Sequence, residues 1–144
     1  MKLNIYQVDA FADRVFSGNP AAVVPLEEWL EEDLMQQIAS ENNQSETAFF
    51  VKTDAGYHLR WFTPAAEIDL CGHATLASAY IIRNFLEPQM SSISFSTEKA
   101  GVLKASSSNG LYTLDFPSRM DGGAHSIKYY LPDALFLRFS DLFM

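Results

Sequence analysis

Along the chain the spacing of apolar residues switches between two and nearly four, and each switch marks an element. Residues 3–11 alternate, with Leu3 and Ile5 facing one way and Tyr6 and Val8 the other, which predicts a strand. Phe16-Ser17-Gly18-Asn19-Pro20 is a turn cluster, and Ala21–Val24 reads as a short apolar strand closed by Pro25. From Leu26 to Glu41 the pattern becomes helical: Leu26, Leu30, Leu34 and Ile38 recur every four residues. Glu27, Glu28, Glu31, Glu32 and Asp33 fill the early turns, where the positive end of a helix dipole suits them, and read as a solvated face. Asn42-Asn43-Gln44-Ser45 ends this helix. Glu46–Val51 is a β-rich run with a carboxylate at its mouth, Asp54-Ala55-Gly56 is a hairpin-like turn, and Tyr57–Phe62 alternates as the next strand before Thr63-Pro64 breaks the pairing.

The pattern then changes kind. A short extended run ends at Gly72, and between Ala74 and Ile82 only Thr75, Ser78 and the Tyr80 hydroxyl interrupt the apolar character. A helix apolar on every side is a buried one, and this one is far too short for a membrane span of about 20 residues. Beyond it, Ile93 with Phe95, Val102 with Leu103, and Tyr112 with Leu114 and Phe116 predict three more strands, with Ser106-Ser107-Ser108-Asn109-Gly110 among the turns. The order predicts an α+β domain, a mixed β-sheet rolled around a central buried helix. The lobe is expected to occupy residues 1–118. Residues 119–144 read as a divergent apolar tail: Asp121-Gly122-Gly123 is a breaker, and Leu131, Leu135, Phe139, Leu142 and Phe143 form a helical stripe. Such an end must pack on the domain, pack on another chain or promote aggregation.

The chain has 144 residues, 48% of them hydrophobic, which suits one domain with a real core. A net charge of −8 disfavours nucleic acid as the main partner, although a pocket can be locally positive on an acidic protein. The single cysteine fits a reducing compartment, and the amino end lacks the long apolar stretch of a signal peptide. A soluble cytoplasmic protein without a membrane partner is the expectation.

For chemistry, the mouth of the buried helix stands out. Cys71 and His73 sit where unpaired backbone N–H groups and the helix dipole can hold an anion. Cys71 alone is read either as a small buried hydrophobe or, since a helix amino end favours the thiolate, as a reactive group. His73 is either a proton carrier or anion donor, or a capping and packing histidine. Glu46 is weak evidence by itself, because most glutamates are solvated. Asp69 reads as facing solvent or capping the turn near Gly72, and His58 and His125 as without function. One cysteine and three scattered histidines show no zinc-like spacing, and there is no phosphate loop, Gly-x-Gly-x-x-Gly or Gly-x-Ser-x-Gly.

Four ordered segments resemble the amino-terminal half of the PhzF-like family, named for the phenazine-biosynthesis isomerase and related to diaminopimelate epimerase. They are Val8-Asp9-Ala10-Phe11 with Phe16-Ser17-Gly18-Asn19-Pro20-Ala21-Ala22-Val23; Asn43-Gln44-Ser45-Glu46-Thr47-Ala48-Phe49; Arg60-Trp61-Phe62-Thr63-Pro64 running on to Glu67; and Cys71-Gly72-His73-Ala74-Thr75-Leu76-Ala77. The resemblance implies two similar lobes, each a sheet rolled around a helix, with the site in the cleft between them; this chain would supply a single diaminopimelate-epimerase-like lobe. It implies that Glu46 is the acid/base, that His73 and Cys71 are catalytic partners, and that Ser45, Gly72, Ala74 and Asn19 surround a small-molecule carboxylate. It implies no metal or organic cofactor. Nothing after residue 118 resembles a second lobe, so the end reads as truncated or altered. Two readings follow: an isomerase or epimerase, acting as one lobe or as a symmetric homodimer with two helix mouths face to face, or a non-catalytic lobe kept as a binding or structural remnant.

Overall fold

The computed structural model describes residues 1–12 and 17–116 in full and, beyond them, the backbone of residue 117 and of the strands at 124–130 and 137–143. In chain order the elements are β1 (Lys2–Ala10), β2 (Asn19–Leu26), α1 (Glu32–Asn42), β3 (Glu46–Thr53), β4 (Gly56–Phe62), β5 (Glu67–Ile68), α2 (Gly72–Ile81), a π-helical turn (Ile82–Leu86), β6 (Ser92–Ser96), β7 (Val102–Ser108), β8 (Leu111–Pro117), β9 (Ala124–Tyr130) and β10 (Leu137–Phe143). The ten described strands form one mixed sheet in the order β10-β1-β2-β3-β4-β6-β7-β8-β9, with β5 paired to β4. Two neighbours run parallel, β2 with β3 and β4 with β6. Each pair is joined through a helix, because parallel strands need a crossover.

The two crossover helices take opposite faces. Alternation in β1 makes this visible: Leu3 and Ile5 pack with Ala22, Val24, Phe49 and Phe62 against Met35 and Ile38 of α1. Tyr6 and Val8 join the other core, built on α2. That second core draws on strands from both wings of the sheet, from Val8, Val23 and Phe50 on one side to Leu103 and Leu114 on the other, so the sheet rolls around α2. The expected buried helix is observed. Ala74 through Ala79 and Ile81 are buried. Its two polar side chains fold back on the helix itself, Thr75 Oγ1 donating to the Cys71 carbonyl at 2.6 Å and Ser78 Oγ to the Ala74 carbonyl at 2.8 Å. Neither of these helix hydroxyls is left bare, which would cost about 1–3 kcal/mol.

Four sequence expectations change. The first helix begins at Glu32, not Leu26, because Pro25 and Leu26 continue β2 and pair with Phe50 and Val51; burial in a parallel ladder outweighs a helical spacing. β2 likewise starts at Asn19, inside the expected turn cluster. Ser106–Ser108 are strand rather than turn, paired with Thr113, Tyr112 and Leu111. The reversal is confined to Asn109 (φ 52°) and Gly110 (φ 75°), two left-handed residues as a tight hairpin turn requires. Finally, 137–143 is not helical but pairs antiparallel with β1, while Leu131 and Leu135 of the expected stripe and the Asp121-Gly122-Gly123 breaker lie outside the described residues. Among the expectations that hold, α1 closes at left-handed Asn43 (φ 53°); Glu27, Glu28, Glu31, Glu32 and Asp33 are exposed, but only Glu32 and Asp33 lie within the helix. No helix among the described residues is long and apolar enough to cross a membrane.

Candidate active site

Parallel pairing brings the sequence candidates to one end of the sheet. Glu46 is the first residue of β3 and pairs in register with Ala21 of β2. Ser45, exposed, donates its hydroxyl to the Pro20 carbonyl at 2.8 Å and so ties the entry of β3 to that of β2. The amino end of α2 opens on the same place: Cys71 is its N-cap in extended conformation (φ −144°, ψ 112°), and Gly72 and His73 form its first turn. Thr75 N–H returns to the Cys71 carbonyl at 3.2 Å, which fixes the first turn and leaves the earlier amides outside the helix's own ladder.

Glu46, Cys71 and His73 come together. His73 Nε2 lies 2.8 Å from Glu46 Oε2, with side chains only 11% and 18% exposed. Cys71 Sγ lies 3.3 Å from His73 Nδ1. The Glu46–His73 contact is close enough for an ion pair but is not an aligned hydrogen bond. Glu46 Oε2 and His73 Nε2 are thus both buried without an aligned partner among the described residues. Buried polar atoms are nearly always satisfied, and an unsatisfied one calls for an explanation: a catalytic role, a bound water or an ion.

The electrostatics bear on the two readings of Cys71. Burial pushes the Cys71 thiol up to about 12, and the Glu46 carboxylate adds to the rise. The amides of Ala74 and His73 favour the anion, but without forming a capping hydrogen bond, and desolvation wins. Cys71 is therefore a protonated thiol near neutral pH, not the thiolate that a helix end alone would suggest. Burial likewise pulls the His73 imidazole below its usual value, partly offset by Glu46 and by the nearby Pro20 carbonyl.

The remaining candidates sit around this trio. Ala74 is fully buried beneath it. Asn19, exposed, opens β2 on the same edge. Gly72 lies under the Phe116 ring of β8, whose Cζ would be 2.9 Å from a Cβ added there. Neither that ring nor the Pro20 carbonyl was legible as part of a site, since both reach it through pairing distant in sequence; buried Asp9, beside Gly18, belongs to a segment that the sequence did single out. Asp69 is half-exposed and meets Lys99 at 3.2 Å, so it faces solvent as expected, and His58 meets Glu98 at 3.3 Å. The side chain of His125 lies outside the described residues. A separate cavity of about 240 Å³, bounded by Glu32, Arg60, Glu67, Asp69 and Lys99 among others, includes none of the trio.

Comparison with known proteins identifies the family and the fold. The family model described as PhzC-PhzF, phenazine biosynthesis-like protein, matches residues 8–124. The chain is 50% identical over 119 residues to an uncharacterised isomerase of Pseudomonas aeruginosa, covering 83% of this chain and 46% of that one. A crystal structure of a PhzF-family phenazine biosynthesis protein from Enterococcus faecalis superposes with a TM-score of 0.78 at 53% identity, covering 81% of this chain and 45% of that one. A predicted epimerase of Pseudomonas aeruginosa shares the fold, with a TM-score of 0.66 at 24% identity over 78% of this chain and 42% of that one. The chain thus spans a little under half the length of these relatives. On a match of this extent, the chain belongs to the PhzC-PhzF family of phenazine biosynthesis-like proteins.

Proposed function

We propose that this lobe carries the acid/base half of an isomerase or epimerase site, which moves a proton between carbons of a small carboxylic acid without a cofactor. The observation that carries the reading is the Glu46–His73 contact: a carboxylate oxygen and an imidazole nitrogen 2.8 Å apart, buried and without aligned partners. A satisfied pair would be occupied with its own bonds. This one can exchange its mutual contact for bonds to a substrate. Glu46 takes the proton from the C–H bond beside the substrate carboxylate, leaving the electron pair spread onto the carboxylate oxygens, and returns it to the other carbon or face. The His73 ring donates to the oxygen on which charge develops, and burial makes that interaction stronger than in water. The amides at the start of α2 are the natural anchor for the substrate carboxylate. Cys71, held as a thiol, is placed to orient the His73 ring by hydrogen bonding rather than to act as a nucleophile.

The experiment is deuterium incorporation. Candidate amino and hydroxy acids are incubated with the protein in heavy water and read by mass spectrometry. Enzyme-dependent uptake at the carbon beside the carboxylate is expected for at least one class; a panel that stays unlabelled overturns the reading. Sedimentation at micromolar concentration tests the paired-lobe form expected from sequence, which a strict monomer disfavours.

A further inference from the structure

The three side chains that bring a carboxylate, a thiol and an imidazole together are also a donor set. Their ligand-type atoms all lie within 4.8 Å of one another. Zinc bonds sulfur at about 2.3 Å and imidazole nitrogen at about 2.0 Å, so ligand atoms in a tetrahedral site stand roughly 3–4 Å apart. These contacts run to different nitrogens of one ring, Glu46 Oε2 to Nε2 at 2.8 Å and Cys71 Sγ to Nδ1 at 3.3 Å. One nitrogen takes the ion, so binding requires a side-chain rotation that brings the acid and the sulfur to the same side of the ring. Sequence spacing could not reveal the set, because one ligand comes from β3 and two from the start of α2. We propose that Glu46, Cys71 and His73 bind one Zn²⁺ ion, with a fourth position left open, and that the ion blocks the proton-transfer site.

The ligand chemistry selects the ion. A sulfur, a nitrogen and a single carboxylate suit zinc or cobalt, whereas magnesium and calcium want oxygen alone. Binding is balanced in protons: the Cys71 S–H bond breaks as the Zn–S bond forms, and the proton leaves to solvent. One His73 nitrogen gives its lone pair to the metal and keeps its proton on the other. The buried Glu46 oxygen and His73 nitrogen, which lack aligned partners, gain one in the metal. The block rests on the proposed proton transfer, since the ion would occupy the atoms that Glu46 and His73 need for it; the binding itself does not.

The test uses the full chain, stripped with a chelator and titrated with Co²⁺ and then Zn²⁺. Cobalt should saturate at one ion per chain and give a thiolate-to-cobalt charge-transfer band, which zinc bleaches and magnesium does not. Since the chain has one cysteine, Cys71→Ser must abolish the band. His73→Ala, with far-ultraviolet circular dichroism confirming its fold, should weaken zinc binding about tenfold or more, as even outer-shell groups around a metal are worth about 10–100-fold. Absence of the band in the parent chain, saturation only at millimolar metal, or affinity unchanged in a folded His73→Ala overturns the site. Deuterium incorporation separates the two proposals: labelling that persists at saturating zinc sinks the block. Metal binding in a protein that labels nothing leaves the site standing and removes the proton transfer.

Discussion

Two polar clusters on this lobe are built from similar groups and satisfied to opposite degrees. On the outer surface Arg60 forks onto Glu67, Nε to Oε1 and Nη2 to Oε2, each at 2.7 Å, and its Nη2 also donates to Glu32 at 2.8 Å. Its guanidinium lies over the rings of Phe62 and Trp29, 5.4 and 5.6 Å from their centroids. The hydrogen bonds to Glu67 hold Arg60 above even its ordinary high pKa, against the opposing effect of burial. Around the α2 mouth, by contrast, Glu46 and His73 touch without aligned bonds. The first arrangement leaves nothing for a ligand to gain. The second leaves two buried atoms without an aligned hydrogen bond. A charged cleft is therefore less informative here than a poorly satisfied one, and the cavity beside Arg60 is read as structure.

The sharpest way to break the contrast is to remove one charge from each cluster and read activity and stability side by side. Glu46→Gln keeps the shape and deletes the base. It should lower deuterium incorporation by about 10²–10⁴-fold, the usual worth of a positioned acid/base group, with a melting temperature close to that of the parent. Arg60→Ala should do the reverse: labelling within about twofold, and a stability loss of about 1–2 kcal/mol by urea unfolding, discounted for the exposure of Glu32. Equal losses of activity in both variants would mean that the two clusters do not differ as argued.

What the sequence disclosed follows the same division between local and distant causes. The α2 segment was legible because burial on all sides is written in the nine consecutive residues from Ala74 to Ile82. So was the end of α1, where Asn43 adopts the left-handed conformation. The start of α1 was not, since Leu26 satisfies a helical period and only its pairing with Val51 shows that it belongs to a strand. The edge strand at 137–143 is legible only through its partner β1. At the site, Cys71, His73 and Glu46 could each be named from motif segments. Whether they touch depends on parallel β2–β3 pairing, and that cannot be read from spacing. The state of Cys71 went the other way from the helix-end argument because burial, a property of the fold, outweighs the amides.

A smaller effect sharpens the comparison without any substrate. In chelator-treated protein the His73 imidazole should titrate below 6.5, its burial outweighing the pull of Glu46. The folded state thus prefers the neutral ring. Its contribution to stability is complete above the unfolded value of about 6.5 and is lost as pH falls through the lowered folded value. Glu46 is one of the groups holding that value up, so Glu46→Gln should move the His73 midpoint lower still when followed by proton NMR. A midpoint that stays or rises in the variant would show that the two side chains are not neighbours in solution.

The smallest effect expected belongs to the rim of the satisfied cluster. Lys99 meets Asp69 at 3.2 Å, with the two side chains 70% and 50% exposed. Water screens both charges, and holding the long lysine chain in one geometry costs entropy that the pair must offset, so exposed pairs are worth about 0.2–1 kcal/mol. Lys99→Ala should therefore shift the urea midpoint by an amount equivalent to no more than about 0.5 kcal/mol, and salt should erase what remains. A loss as large as that of Arg60→Ala would mean that the rim and the Arg60 fork act as one network. The outer cavity would then be a cooperative charged site rather than a solvated edge, and its dismissal as structure would have to be reopened.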